Sequence, residues 1–166
     1  MEILVYPDPF LRRPAETVKE LGGIGEQASE MFRTMYDRKG VGLAATQVGI
    51  GKRFFVMNTQ GDPAKGLVLV NPVIVEGKGE IIAEEGCLSL PGLEVKLPRY
   101  EWVKVRATTL DGNEIELDGS EVFARAVQHE LDHLNGKLII DKITPVQRIT
   151  LRPRLKELEK KYRGRK

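Results

Sequence analysis

The chain has only two histidines, and they stand close together as His129-Glu130-Leu131-Asp132-His133. On a helix, positions i and i+4 share one face a single turn apart, so both imidazoles can reach one ion. Glu130, directly after the first histidine, can approach a water held on that ion. No third histidine exists to complete the set. The remaining soft donor is Cys87, in Glu84-Glu85-Gly86-Cys87-Leu88-Ser89. One cysteine with two histidines leaves a fourth position open for water or substrate, as a catalytic site requires. Gly86 lets the backbone come close to the ion.

The chemistry that follows is hydrolysis. A metal lowers the pKa of its bound water from about 15.7 toward neutrality. Glu130 takes the proton, the hydroxide attacks a carbonyl carbon, and Glu130 passes the proton to a leaving amine. The resulting oxyanion needs donors, each contributing a few kcal/mol. Candidates are the backbone N–H of Leu88, beside the thiolate, and an amide side chain. Gln47 offers such an amide in the loop Gly40-Val41-Gly42-Leu43-Ala44-Ala45-Thr46-Gln47-Val48-Gly49. Small residues there let an extended chain lie close. The loop has no lysine followed by Ser or Thr, so it is not a phosphate loop.

These residues need elements to position them. Periodicity predicts a helix over Glu26 to Tyr36, with Ala28, Met31, Phe32 and Met35 on one face. Ser120 to Leu134 reads as a second helix, with Ser120 as its cap and Gly136 at its end. Pro145 to Tyr162 reads as a third, basic helix with Ile149, Leu151, Leu155 and Leu158 as its apolar set, and with Pro153 as a point where it can kink. Strands are expected over Arg53 to Asn58, Leu67 to Val75, Glu80 to Ala83 and Glu101 to Ala107. A turn at Asp111-Gly112-Asn113 leads from the last of these into Glu114 to Leu117 as a hairpin. Asp8 to Pro14 reads as an irregular arm, and Trp102 as a core or sheet-face aromatic. The fold class is α+β: mostly antiparallel strands around a central helix bearing His129 and His133, with N-terminal and C-terminal helices.

At 166 residues, 41% of them hydrophobic and 30% charged, the chain fits a single domain spanning positions 1–166. A net charge of +2 argues against DNA or a membrane surface as a partner of the whole face. No apolar run approaches a membrane span, and the first residues lack the pattern of a secretory signal. A lone cysteine suits a reducing compartment, and the expectation is a cytoplasmic, bacterial protein. Three rival readings have little in the sequence to carry them. A zinc protease of the same helical motif needs a ligand downstream of His133, and no histidine lies there. A non-catalytic metal binder would lack Glu130 or Gln47, and both are present. A nucleic-acid module would need more charge and more exposed aromatics.

Taken in order, Gly40 to Gln47, Glu85 to Ser89 and Gln128 to His133 resemble the three marks of the peptide deformylases, and Tyr6-Pro7-Asp8-Pro9 with Leu11-Arg12 is similar to that family's opening. The resemblance covers almost the whole chain. It implies that Cys87, His129 and His133 hold a divalent metal and that Glu130 is the general base. It also implies that Gln47 and the N–H of Leu88 serve the oxyanion. Gly42 falls where the family pairs its backbone with an extended peptide, and Gly86 is placed with the substrate-contacting positions. Val41, Val122, Arg125 and Ala126 fall where the family lines its methionine pocket. Arg125 departs from the apolar residue expected there, and its stem can pack while its head reaches solvent. Gly92-Leu93-Glu94 lacks an arginine that relatives carry nearby. The implied activity removes the formyl group from formyl-methionine at the start of new polypeptides. The implied metal is Fe2+, with Zn2+, Ni2+ or Co2+ possible; donor chemistry alone would name zinc first. Asp132 is expected to orient a neighbour. The basic stretch from Arg152 to Lys166 reads first as a solvated helix face, and the resemblance implies as an alternative a contact with the ribosome, which family members make through a C-terminal helix.

Overall fold

A computed structural model describes residues 1–164. Three helices, α1 (Ile24–Asp37), α2 (Glu121–Leu134) and α3 (Pro145–Arg163), accompany seven strands. The strands are β1 (Gly42–Ala44), β2 (Phe54–Met57), β3 (Leu67–Lys78), β4 (Ile81–Gly86), β5 (Glu94–Arg99), β6 (Trp102–Thr108) and β7 (Glu114–Ser120). Five of them form an antiparallel sheet in the order β1-β2-β3-β6-β7, and β4 pairs with β5 in a separate antiparallel sheet. The α+β class expected from sequence is the class observed.

Strand β2 explains how the large sheet is covered. Successive side chains of a strand point to opposite faces. Phe54 and Val56 enter one core with Ile24, Met31 and Met35 of α1. Phe55 and Met57 enter a second core with Ala124, Val127, Leu131 and Leu134 of α2. All four β2 side chains are therefore buried, and the strand reads as a continuous apolar run because both its faces are covered. A third core joins Leu90, Leu93, Val95 and Leu97 around β5 to Leu155 and Leu158 of α3.

Several expectations are corrected. Ser120 makes no capping hydrogen bond with its side chain; it is the last residue of β7, extended and paired with Trp102. Ile149 does not belong to the buried face of α3, being 62% exposed, whereas Leu155 and Leu158 are buried. Helix α3 continues through Pro153 as one element. Trp102, by contrast, lies on the sheet face, one of the two positions expected of it. Its indole N–H donates to Asp118 at 3.2 Å, and the Lys78 ammonium sits 4.7 Å from the ring centre. The glycine-rich loop contains a strand, β1, followed by a single turn of 3-10 helix at Ala45–Val48. Strand β5 was not expected at all, although its residues alternate exposed and buried throughout. The expected end of α2 is observed. Gly136 takes φ +72°, a left-handed conformation that glycine adopts without steric cost, and a side chain there would strike the Arg12 carbonyl.

Candidate active site

Helix α2 presents Arg125, Gln128, His129 and Asp132 at i, i+3, i+4 and i+7, which is one face. That face meets the small β4–β5 sheet, and the contact is polar. Gln128 brackets the backbone of Tyr100, accepting from its N–H at 2.9 Å and donating to its carbonyl at 3.0 Å. Asp132 accepts from Arg99 at 2.6 Å and faces Lys142 at 3.3 Å. His129 meets Glu85 through Nδ1 at 3.0 Å. Arg125 donates to Glu85 at 2.7 Å.

Glu85 is the hub of this seam. Arg99 binds it with two parallel bonds, Nε to Oε1 at 2.8 Å and Nη2 to Oε2 at 2.9 Å, a geometry that suits a guanidinium and a carboxylate. Burial alone would raise the Glu85 pKa, but Arg99 and His129 outweigh it and hold the group at about 2. The carboxylate is therefore charged and fixes the imidazole of His129, an arrangement that orients metal-binding histidines generally.

With Nδ1 of His129 engaged, its Nε2 points inward. It lies 3.2 Å from Nε2 of His133, which in turn lies 3.3 Å from the Cys87 sulfur. The three donor atoms all stand within 4.8 Å of one another. Cys87 arrives immediately after β4, and a turn from its carbonyl to the Leu90 N–H at 2.9 Å holds it there. Burial works against protonation of His129, yet the Cys87 and Glu85 partners raise its pKa well above the ordinary value. Burial and the neighbouring His129 push that of His133 well below. A thiol and two imidazoles at this spacing fit a borderline-soft divalent ion.

Glu130 points the other way, toward β1. It is buried, and its Oε2 has no hydrogen-bond partner among the described residues. Burial raises its pKa to about 7, against the lowering effect of His129 and with the help of Glu85. Its carboxylate packs on Gly42, where a Cβ would stand 2.5 Å from Oε1. Gln47 is fixed at both ends of its amide. Oε1 accepts from the Ala44 N–H at 2.9 Å, and Nε2 donates to Ser89 Oγ at 3.2 Å while lying 3.8 Å from the Cys87 sulfur.

These groups meet at a cleft of about 1090 Å³. Cys87, His129, Glu130, Gln47 and Leu88 all line it, whereas His133 lies beneath at 1% exposure. Val41 and Gly42 form one rim, and Gly86 lies on the β4 side. Val122, Arg125 and Ala126 form a wall from α2, with Val122 at the mouth and half exposed. Every residue expected at the site is therefore brought to it. Arg125 is corrected in one respect: its head does not reach into solvent but bonds Glu85 and the Ala83 carbonyl, the latter at 3.4 Å. At Gly92 an arginine does arrive, from α3. Arg154 lies over that glycine and donates to the Pro91 carbonyl at 3.1 Å.

Sequence reasoning assigned no role to Arg99, Glu85 or Ser89. For Arg99 a signal existed, because it occupies the buried phase of β5 after Val95 and Leu97. A charged residue at an apolar position of an alternating strand calls for a buried partner.

Antiparallel sheets packed on a helix that carries two histidines, with a thiol brought to them from a second small sheet, define a hydrolase of α+β architecture with a candidate metal centre. The family profile for polypeptide deformylase matches residues 1–149. The chain is 45% identical over 159 residues to a peptide deformylase of Thermodesulfovibrio yellowstonii, covering 94% of this chain and 96% of that protein. It is 41% identical to one of Buchnera aphidicola, covering 97% and 94%. Among solved structures, a Plasmodium falciparum peptide deformylase superposes with a TM-score of 0.92 at 38% identity, covering 98% of each chain. One from Legionella pneumophila superposes at 0.90 and 41% identity, covering 99% of this chain and 98% of the other. The chain belongs to the polypeptide deformylase family and is an enzyme.

Proposed function

We propose that this chain removes the formyl group from the N-terminal formyl-methionine of newly made polypeptides, releasing formate and a free amine. The observation that carries the reading is the meeting of Cys87, His129 and His133 beside a buried Glu130 whose pKa is about 7, at an open cleft. Cys87, His129 and His133 would hold one divalent ion and leave a fourth position free. Family likeness favours Fe2+, and Zn2+, Ni2+ and Co2+ suit the same donors. Such an ion supplies Lewis acidity, polarising a carbonyl and bringing the pKa of a water toward neutrality.

The chain's own residues do the rest. Glu130, poised near neutrality, accepts a proton from the attacking water and returns it to the leaving nitrogen. Gln47 donates one amide N–H to Ser89, and the other, directed toward the Cys87 sulfur at 3.8 Å, can turn to the formyl oxygen as negative charge develops there. The backbone N–H of Leu88 is the other donor for that oxygen. Gly42 and Gly86 let an extended peptide approach from both sides, Val41 edges its path, and Val122, Arg125 and Ala126 receive the methionine side chain. No helix among the described residues is long and apolar enough to cross a membrane. The reading places the enzyme in the bacterial cytoplasm beside the ribosome. The exposed Lys156, Lys160, Lys161 and Arg163 of α3 supply a surface for phosphate contacts there.

The test is formate release from a formyl-Met tripeptide by anaerobically prepared protein, with and without chelator. Chelator-sensitive release supports the reading. No release after loading with iron, nickel or cobalt overturns it.

A further inference from the structure

The small β4–β5 sheet delivers Cys87, yet it shares none of the three apolar cores with α2; the one core that includes α2 residues takes its strand partners from the large sheet. What joins the two elements is the polar seam from Arg125 to Asp132. Within it Arg125 has a separate position. Gln128, His129 and Asp132 meet Tyr100, Glu85 and Arg99, whereas Arg125 alone spans β4 lengthwise. Its Nη1 reaches Glu85 Oε1 at 2.7 Å and the Ala83 carbonyl at 3.4 Å, and its Nη2 reaches the Ile81 carbonyl at 3.5 Å. Ile81, Ala83 and Glu85 are alternate residues of the strand, so one fork of donors grips one side of it. The same arginine lines the cleft.

We infer that Arg125 is a positioning residue that clamps β4 onto α2 and so couples the wall of the substrate cleft to the spacing of Cys87 and His129. Glu85 is the link. One of its oxygens accepts from Arg125 and Arg99, and the other from Arg99 and His129. Releasing Arg125 frees β4 on the side of the cleft and leaves Glu85 with Arg99 alone to oppose the pull of the imidazole. Cys87, at the end of β4, then loses its fixed distance to the histidines. The inference rests on the proposed reading only in assigning Cys87 and His129 to the metal. The contact itself is independent of that reading.

The test uses the reactivity of the Cys87 thiol in metal-free full-length protein with an aromatic disulfide, followed by release of the coloured thiolate. Arg125→Met keeps the length of the stem and removes the head; Arg125→Lys restores a charge but not a fork. The expected result is a rate roughly tenfold above the unsubstituted protein for Arg125→Met, the value of one charge-assisted hydrogen bond, with Arg125→Lys between the two. The enhanced rate should stay flat at low urea, as local opening does. Release of zinc to a chelator should quicken in the same order. A thiol rate unchanged in both variants overturns the inference. So does a rate that rises with urea at the slope of full unfolding, which leaves Arg125 a merely structural role. These readouts do not depend on deformylation, so a protein that releases no formate still decides the question.

Discussion

The carboxylate of Glu130 lies against the α-carbon of Gly42, with no room between them for even a methyl group. Strand β1 and helix α2 approach this closely only because position 42 is glycine, and the approach fixes where the proposed base can aim. Gly42→Ala would place a Cβ 2.5 Å from Oε1, and the carboxylate would have to move. A displacement of that size costs on the order of 100-fold in rate when the base is misplaced. Steady-state formate release should fall by that order while the circular dichroism spectrum and metal content stay unchanged.

Glu130→Gln keeps the shape of the side chain and removes the proton acceptor. Turnover should drop by roughly 10²- to 10⁴-fold, the usual contribution of a positioned general base. Elemental analysis should find the metal still bound. A variant that is fully active, or one that has lost its metal, would contradict the role assigned to Glu130.

Gln47→Leu removes the amide held between Ala44 and Ser89. Loss of one donor to a developing oxyanion costs about 10²- to 10³-fold in kcat, and KM should change little because the ground-state carbonyl gains less from the contact. Separate determination of kcat and KM on formyl-Met peptides checks this. A change in KM alone would assign Gln47 to substrate binding.

Cys87→Ala and His129→Ala should each abolish tight metal binding, since two donors hold a divalent ion far less well than three. Equilibrium dialysis against zinc reads this directly, whatever the activity.

Arg99→Met would leave Glu85 and Asp132 buried with fewer counter-charges. Removing one partner of a buried ion pair typically costs about 3–5 kcal/mol. Arg125 remains beside Glu85 and Lys142 beside Asp132, which places the expected loss toward the lower end. Urea unfolding of the metal-free protein measures it.

The site was legible in the sequence where local spacing carried it. His129, Glu130 and His133 lie within two turns of one helix, so a helical period suffices to bring them together. Cys87 could be assigned from its chemistry, because no other thiol exists in the chain. The polar seam was not legible, because its members come from β4, β5 and α2, and pairing across distant segments leaves no local period. Strand β5 alternates from Glu94 to Arg99, but Pro98, which a strand tolerates only at an edge, interrupts the signal in the sequence. Strand β1 gives no strand signal, because Gly42 and Ala44 lack the branched side chains that mark strands. Ser120 does hold the cap position of α2, but it is also the last paired residue of β7, and its side chain makes no capping bond, which residue type alone does not reveal.

The division of the three candidate donors between one helix, α2, and the end of one strand, β4, has a thermodynamic consequence. The histidine pair comes with α2, but the thiol comes only once β4–β5 has docked. An ion that requires all three therefore binds the completed fold and not its precursors, and its affinity adds to the stability of the docked state. At a free concentration a hundred times the dissociation constant, that linkage amounts to about 2.7 kcal/mol. Capture of an ion would thus act as a latch between the β4–β5 sheet and α2, and removing it should loosen the hold of that sheet on the helix.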